Sequence, residues 1–198
     1  MERPFPHDKL VIATHNAGKL REFESLLRPY VSAVVSAGQL GLAEPEENGA
    51  TFADNALIKA LAAAKASGCV ALADDSGLCV AALDGRPGLY SARWMGPEKD
   101  PRLAMRRVNE ELGDAADRSA HFACVLALAW PDGYAELTEG RCDGVIVWPP
   151  RGDQGHDYDP IFQPRGSTMT FAEMDAGAKH ALSQRGAAMR ALVAKYFG

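Results

Sequence analysis

The chain has 198 residues, of which 24% are charged and 47% hydrophobic, and a formal net charge of −5. That length suits one large domain or one domain of two lobes, and the composition is that of a globular protein rather than a disordered or membrane-resident one. The acidic balance argues against a protein that coats nucleic acid, which needs a basic surface to displace counterions, and no apolar run approaches the length of a membrane span.

Residues 1–8 are interrupted by prolines and lack the apolar stretch of a secretory signal, so a cytoplasmic location is expected. Residues 9–14 read as a first strand. The turn His15-Asn16-Ala17-Gly18 then opens a helix over residues 19–28, closed by Pro29. A second strand over residues 32–36 leads into an acidic loop holding Glu44, Glu46 and Glu47, the first place to expect mobility. Thr51 and Asp54 form a capping-box pattern ahead of an alanine-rich helix, Phe52–Ser67, with Gly68 as its C-terminal cap. Asn55 and Lys59 are four residues apart and share one face of it. An apolar strand over residues 69–73 follows, then an acidic turn and a short strand over residues 78–83.

Further on, Asp100-Pro101 supplies an N-cap acid and a proline at the first helical position, and Gly113 ends that helix. Residues 119–130 and 134–140 flank Pro131-Asp132-Gly133 and predict a hairpin, with another strand over residues 145–148. A last helix begins after Ser183, with Met189, Leu192, Val193 and Tyr196 as its inward stripe. Cys69, Cys79, Cys124 and Cys142 include no Cys-x-x-Cys pair and read as reduced thiols inside the fold. Trp130 and Trp148 read as core or rim packing, Trp94 as a residue of the cleft or of a dimer contact, and Arg106-Arg107 as a solvated helix face. Helices alternate with strands in the first half and strands cluster in the second, which predicts an α/β fold with a mixed sheet flanked by helices.

Two segments carry the chemistry. Leu72-Ala73-Asp74-Asp75-Ser76-Gly77-Leu78 brings an apolar strand to two acids, a hydroxyl and a glycine. Acids at the C-terminal mouth of a strand lie where open α/β sheets place ligands, and they suit Mg²⁺ shared with substrate phosphates. The same residue types are turn formers, and alone the heptad fits either reading. At the first strand-to-helix junction, Thr14-His15-Asn16-Ala17-Gly18-Lys19 offers backbone N–H groups, a helix N-terminus and a lysine to a phosphate, without the spacing of a P-loop.

The order of segments is more telling than any one of them. Thr14 to Lys19, Thr51-Phe52-x-x-Asn55-Ala56-x-x-Lys59-Ala60, Ala73 to Leu78, Pro87-Gly88-Leu89-Tyr90-Ser91-Ala92-Arg93, Tyr158-Asp159-Pro160-Ile161-Phe162 and Ser183-Gln184-Arg185-Gly186 occur in series. In this the chain resembles the inosine/xanthosine triphosphate pyrophosphatase (Ham1-like) family over residues 10–196. The resemblance implies one domain over residues 1–198 with an elongated mixed sheet, two lobes and an active-site cleft between them. It implies hydrolysis of ITP, dITP and XTP to the monophosphate and pyrophosphate, Mg²⁺ as cofactor, a homodimer, and neither nucleic acid nor membrane as partner. By the same resemblance Thr14, His15, Asn16, Ala17, Gly18, Lys19 and Lys59 hold the triphosphate and Ser76 touches substrate. Asp75 is the proton acceptor and a metal ligand, and Glu46 or Glu47 supplies the metal's loop acid. His156, Asp157, Tyr158, Asp159, Lys179, Gln184 and Arg185 form the base pocket.

Physical chemistry is consistent with those roles. Lys19, Lys59, Lys179 and Arg185 match the charge of a triphosphate, whose cleavage needs positioning and charge stabilisation above all. Neighbouring strand residues point to opposite faces, so Asp74 and Asp75 both reach one ion only if the strand has ended before them. On that basis Asp75 is the base and Asp74 a metal ligand or an acid behind it, the alternative being a structural acid. Donors such as Arg185 can donate to the six-carbonyl of hypoxanthine or xanthine and are left unpaired by adenine. His15, the pair His156-Asp157, and Gln184 stand where the family more often has glycine, Phe-Gly and histidine. The alternative function is a non-catalytic purine nucleotide sensor, which needs no base and metal together.

Overall fold

The run Leu10-Val11-Ile12 is buried throughout, as an interior strand of a parallel sheet requires, and it forms β1 (Lys9–Ile12). β1 pairs in parallel with β2 (Ala33–Ser36) on one side and β3 (Ala71–Val80) on the other. The computed structural model describes residues 3–197; Met1 and Glu2 of the segment read for a leader, and Gly198, lie outside the described residues. Among the described residues six strands make one mixed sheet in the order β2-β1-β3-β4-β5-β6. Its remaining strands are β4 (Ser119–Ala129), β5 (Ala135–Ile146) and β6 (Phe162–Pro164), the last antiparallel to β5. The helices are α1 (Ala17–Leu27), α2 (Phe52–Ser67), α3 (Pro101–Leu112), α4 (Ala176–Leu182) and α5 (Gln184–Phe197). The α/β mixed sheet expected from the sequence is thus present.

The chain forms two compact units. One contains the chain up to Asp75, Val125–Glu139 and the chain from Ala188 on; the other contains Ser76–Cys124 and Gly140–Ala187. β3, β4, β5 and α5 each run from one into the other. Each unit has its own core. In the first, Ala56, Ala60, Ala63 and Ala64 of α2 meet Val11, Ala71, Ala73, Val125, Ala127 and Ala129 of the strands. Small side chains on that helix face let it lie close to β1. The second core is built on larger groups, with the Phe122 and Phe162 rings edge-to-face at 4.6 Å and Phe171 beside them. Trp94 belongs to this core and lies under the Arg107 guanidinium, 4.0 Å from its ring. Arg106 and Arg107 are both exposed, as expected of a solvated helix face, and Arg107 in addition lies over the Trp94 ring.

Local signals hold where chemistry within a few residues decides. Thr51 and Asp54 make the reciprocal capping box of α2, and Gly68 closes it in the left-handed conformation. Asp100 caps α3 by accepting from the Arg102 N–H at 2.9 Å. Three strand boundaries differ from expectation. Asp74-Asp75-Ser76-Gly77 is no turn, because β3 runs unbroken from Ala71 to Val80 and a short helical turn takes Ala81–Leu83. The segments read as two strands over residues 134–140 and 145–148 are one long β5. β6 and α4 were not expected. α4 has only seven residues and no apolar stripe to announce it.

Glu136, on β5, shows how a buried charge is settled in the first unit. It is 9% exposed and accepts from Tyr134 Oη at 2.5 Å and Tyr196 Oη at 2.6 Å, and pairs with Lys195 Nζ at 2.6 Å. Tyr196 and Lys195 lie on α5, so the carboxylate fixes the end of that helix to the strand. Burial works against the charge, yet the hydrogen bonds from Lys195, Tyr134 and Tyr196 prevail and bring its pKa from 4.5 down to about 2. A carboxylate with a depressed native pKa stabilises the fold above its unfolded value and loses that contribution as pH falls through the native one. Glu136→Gln should cost about 2 kcal/mol in urea unfolding at pH 7. The difference from wild type should shrink between pH 4.5 and about 2, whereas a pH-independent difference would show that the charge is not what matters.

Candidate active site

β1 stops at Ile12, opposite Leu72, whereas β3 continues beyond it. Asp74 and Asp75 therefore stand at the level of the segment that leads from β1 into α1. Asn16 caps α1, its Oδ1 accepting from Gly18 N–H at 2.8 Å and Lys19 N–H at 3.0 Å, and Thr14 Oγ1 accepts from Asn16 N–H at 3.1 Å. This ordered turn aims Lys19 at the sheet. Lys19 Nζ lies 3.1 Å from both Asp74 oxygens, forming a forked ion pair with a nearly buried carboxylate. Of the backbone donors in this segment, the Gly18 and Lys19 N–H groups are taken by the Asn16 cap and the Asn16 N–H by Thr14.

Asp75 is approached from α2. Asn55 and Lys59, on the shared face read from their spacing, both reach it: Asn55 Nδ2 donates to Asp75 Oδ2 at 3.2 Å, and Lys59 Nζ is 3.6 Å from Asp75 Oδ1. Lys59 also pairs with Glu47 at 2.7 Å. Of the two loop acids expected as candidates, Glu47 joins this group and Glu46 is exposed. Two ammonium groups thus face three carboxylates, all in the first unit. For Asp75, burial is the main influence and lifts the carboxyl above the usual carboxylate range; Lys59 opposes this, Glu47 adds to it, and the Asn55 hydrogen bond and Lys19 oppose it further. For Lys59, burial favours the neutral amine, but Asp74, Asp75 and Glu47 together outweigh it and hold the ammonium above its ordinary value.

Because the strand does not end before the acids, Asp74 and Asp75 take different partners, one Lys19 and the other Lys59 with Asn55. The charge of Asp74 nevertheless acts on Lys59, so the two pairs are electrostatic neighbours. Asp75 and Glu47, which share Lys59, suit Mg²⁺, an ion that takes one or two such ligands and leaves its other positions to water and phosphate. Asp74, on the other side of the continuing strand and paired with Lys19, does not meet the condition set for a metal ligand and is the acid behind them. Among the described residues no three His, Cys, Asp or Glu groups form a metal cage on their own.

The second unit, compact in its own right, holds the other residues expected at a site. Ser76, the residue after Asp75, has its Oγ 3.4 Å from Arg185 Nη2, and both Gln184 and Arg185 are buried at the start of α5. Gln184 Oε1 is buried without a hydrogen-bond partner. Asp159 accepts from His156 N–H at 2.8 Å and pairs with Lys179 at 2.7 Å. His156 Nδ1 lies 3.2 Å from Asp157, which has a positive φ of 58°. A side chain on Gly155, itself at a φ of 76°, would run into the Asp159 carboxylate. Tyr158 is 1% exposed, and its hydroxyl donates to the Ser91 carbonyl at 2.7 Å. Its ring is part of the core, so it acts by holding Asp157 and Asp159 in place. His15 is exposed, with Nε2 2.9 Å from the Leu42 carbonyl and Nδ1 4.0 Å from Glu44, and it ties the acidic loop to the first turn.

The comparisons with known proteins agree with one another. The Ham1 family model matches residues 10–195. A protein of Gluconobacter oxydans named dITP/XTP pyrophosphatase is 57% identical over 193 residues, 98% of this chain and 93% of that protein. One of the same name from Rhodospirillum centenum is 57% identical over 198 residues, covering 98% of each. A solved Ham1 protein from Coxiella burnetii superposes with a TM-score of 0.87 at 39% identity, over 94% of this chain and 97% of that one. The chain belongs to the Ham1 family.

Sequence reasoning missed Gly49 as a member of this site. Its N–H donates to Asn55 Oδ1 at 2.8 Å, and a Cβ there would lie 2.5 Å from Asp54 Cβ and 2.7 Å from Asn55 Oδ1. The loop bearing Glu47 is thereby seated on α2. Gly49→Ala should displace that loop and lower kcat/KM by about 10²-fold while shifting the unfolding midpoint little; a variant with wild-type kinetics would free the loop from any role in the site.

Proposed function

We propose that this chain hydrolyses non-canonical purine nucleoside triphosphates, dITP, XTP and ITP, to the nucleoside monophosphate and pyrophosphate. The observation that carries the reading is Asp75, a buried carboxylate between Lys59 and Asn55, in a Ham1 family chain whose relatives are named dITP/XTP pyrophosphatases. On this reading Lys19 and Lys59 bind the phosphates, and Asn55 orients Asp75. Asp75 takes the proton of a water as that water attacks the α-phosphorus, and pyrophosphate leaves with the electron pair of the broken anhydride bond. A carboxylate raised above its ordinary range is a better base near neutrality than a free one. Asp75 and Glu47, which share Lys59, are the residues that would hold Mg²⁺, which supplies charge neutralisation at the phosphate oxygens.

Base selection falls to the second unit. Arg185 offers donors, and the orphaned Gln184 Oε1 is an acceptor whose burial unpaired costs about 1–3 kcal/mol. A six-oxo purine meets both, through its carbonyl and its N1–H. Adenine presents an amino group and a bare N1 and meets neither. The reading takes the working form to be a cytoplasmic homodimer acting on free nucleotide, with neither nucleic acid nor membrane as partner, as the resemblance implies.

Pyrophosphate release from dITP, XTP, ITP and dATP, with and without Mg²⁺, tests the reading. The three six-oxo nucleotides should be cleaved only with the metal. Asp75→Asn should reduce turnover by about 10³-fold while nucleotide binding survives, and Gln184→Leu should erode the preference for dITP over dATP by about tenfold. Tight binding of all four without cleavage would identify a nucleotide sensor instead.

A further inference from the structure

The segment Pro87-Gly88-Leu89-Tyr90-Ser91-Ala92-Arg93 has no part in the proposed chemistry, yet its Ser91 is a buried polar residue on which two other segments meet. β1 accompanies β3 only as far as Leu72, whose carbonyl accepts from the Ala13 N–H at 2.8 Å. Residues of the same parity further along β3 turn to the same edge, and there residues 86–91 take the place of β1. Val80 N–H donates to the Arg86 carbonyl at 3.3 Å, and Leu78 N–H donates to Ser91 Oγ at 3.0 Å. The Ser91 hydroxyl in turn donates to the Gly88 carbonyl at 2.7 Å, and the Ser91 carbonyl accepts from the Tyr158 hydroxyl at 2.7 Å. Ser91 and Tyr158 are both buried, so a group that loses its partner here is left unsatisfied rather than hydrated.

We propose that Ser91 is a positioning residue for purine selection, the joint that sets β3 against the Tyr158-Asp159 turn. This rests on the function proposed above and deepens it. On β3, Leu78 stands two residues beyond Ser76, whose Oγ is 3.4 Å from Arg185 Nη2. On the turn, Tyr158 is followed by Asp159, which accepts from His156 N–H at 2.8 Å and pairs with Lys179 at 2.7 Å. Ser91 is thus bonded to both groups of residues expected at the purine, to one through its hydroxyl and to the other through its carbonyl, and all of them belong to the second unit. Hydrogen bonds tell one purine edge from another only while donors and acceptors keep their spacing, and a displacement of about 1 Å costs up to about 10²-fold. The groups assigned to cleavage, Lys19, Lys59 and Asp75, belong to the first unit. Loosening the joint therefore acts on binding and on the choice of base, and spares the cleavage step.

Steady-state kinetics of the full chain with dITP and dATP test the proposal on Ser91→Ala, on Tyr158→Phe and on the two combined. Ser91→Ala should raise KM for dITP about tenfold with kcat within about twofold of wild type, and lower the ratio of kcat/KM for dITP over dATP about tenfold. Tyr158→Phe, which keeps the ring in the core and removes only the hydroxyl, should shift KM and the ratio in the same direction. The double variant should lose less than the product of the single losses, because both act at one joint. A residue that served folding alone would reduce the active fraction, lowering apparent kcat while KM and the ratio stay at their wild-type values. That pattern in Ser91→Ala overturns the proposal, as do single losses that multiply in full. If Ser91→Ala does not fold, Tyr158→Phe decides, and wild-type KM and ratio in that variant overturn the proposal. Wild-type ratios in variants of a chain that cleaves dITP sink the role of Ser91 and leave the proposed function standing. Should the wild type cleave neither nucleotide, the function falls, and the role of Ser91 is decided by the same ratio taken from calorimetric dissociation constants.

Discussion

Burying charge in an interior strand of a mixed sheet is the constraint on which this structure turns. Asp74 and Asp75 lie within a ten-residue strand whose other positions are mostly apolar and buried. They persist there as charged groups only because Lys19, Lys59 and Asn55 are delivered to them by the two helices that follow β1 and β2. An isolated carboxylate in such a place would take up a proton or unfold the strand. The alanine face of α2 has the same origin, because small residues let the helix approach closely enough for Lys59 to span to Asp75.

That arrangement divides labour along the chain. The first unit has the lysines and carboxylates to which phosphate and metal are assigned in the proposed function, and the second has the buried arginine and unsatisfied amide oxygen to which the purine is assigned there. The junction falls between Asp75 and Ser76, two consecutive residues of one strand. Lys179 and Asp159 repeat, in the second unit, the device of compensating a buried acid with a lysine from a helix. Glu136 does so in the first with Lys195 and two tyrosines, away from any proposed chemistry.

What could be read in the sequence follows the range of the forces involved. The capping box at Thr51 and the proline start of α3 were legible because each depends on contacts within a few residues. The shared face of Asn55 and Lys59 was legible from helical spacing, and the structure gives it a purpose in Asp75. The Asp74-Asp75-Ser76-Gly77 run was read as a turn because its residue types favour one, yet the decisive partners lie on α1 and α2, far away in sequence. The choice of Glu47 over Glu46 depends on the register of a loop seated by Gly49 and Asn55, which no local pattern encodes. Tyr158 looked like a ligand contact, and only its surroundings show it to be a core ring with a satisfied hydroxyl.

The mutual dependence of Lys59 and the β3 acids is open to direct measurement by a double-mutant cycle in chemical denaturation of the metal-free chain, with Lys59→Met, Asp75→Asn and the two combined. Removing Lys59 alone leaves Asp75 and Glu47 without their shared cation, and removing the Asp75 charge as well relieves part of that repulsion. The double variant should therefore be more stable than Lys59→Met by about 1 kcal/mol or more. Losses that simply add would contradict the view that these two buried charges exist for each other.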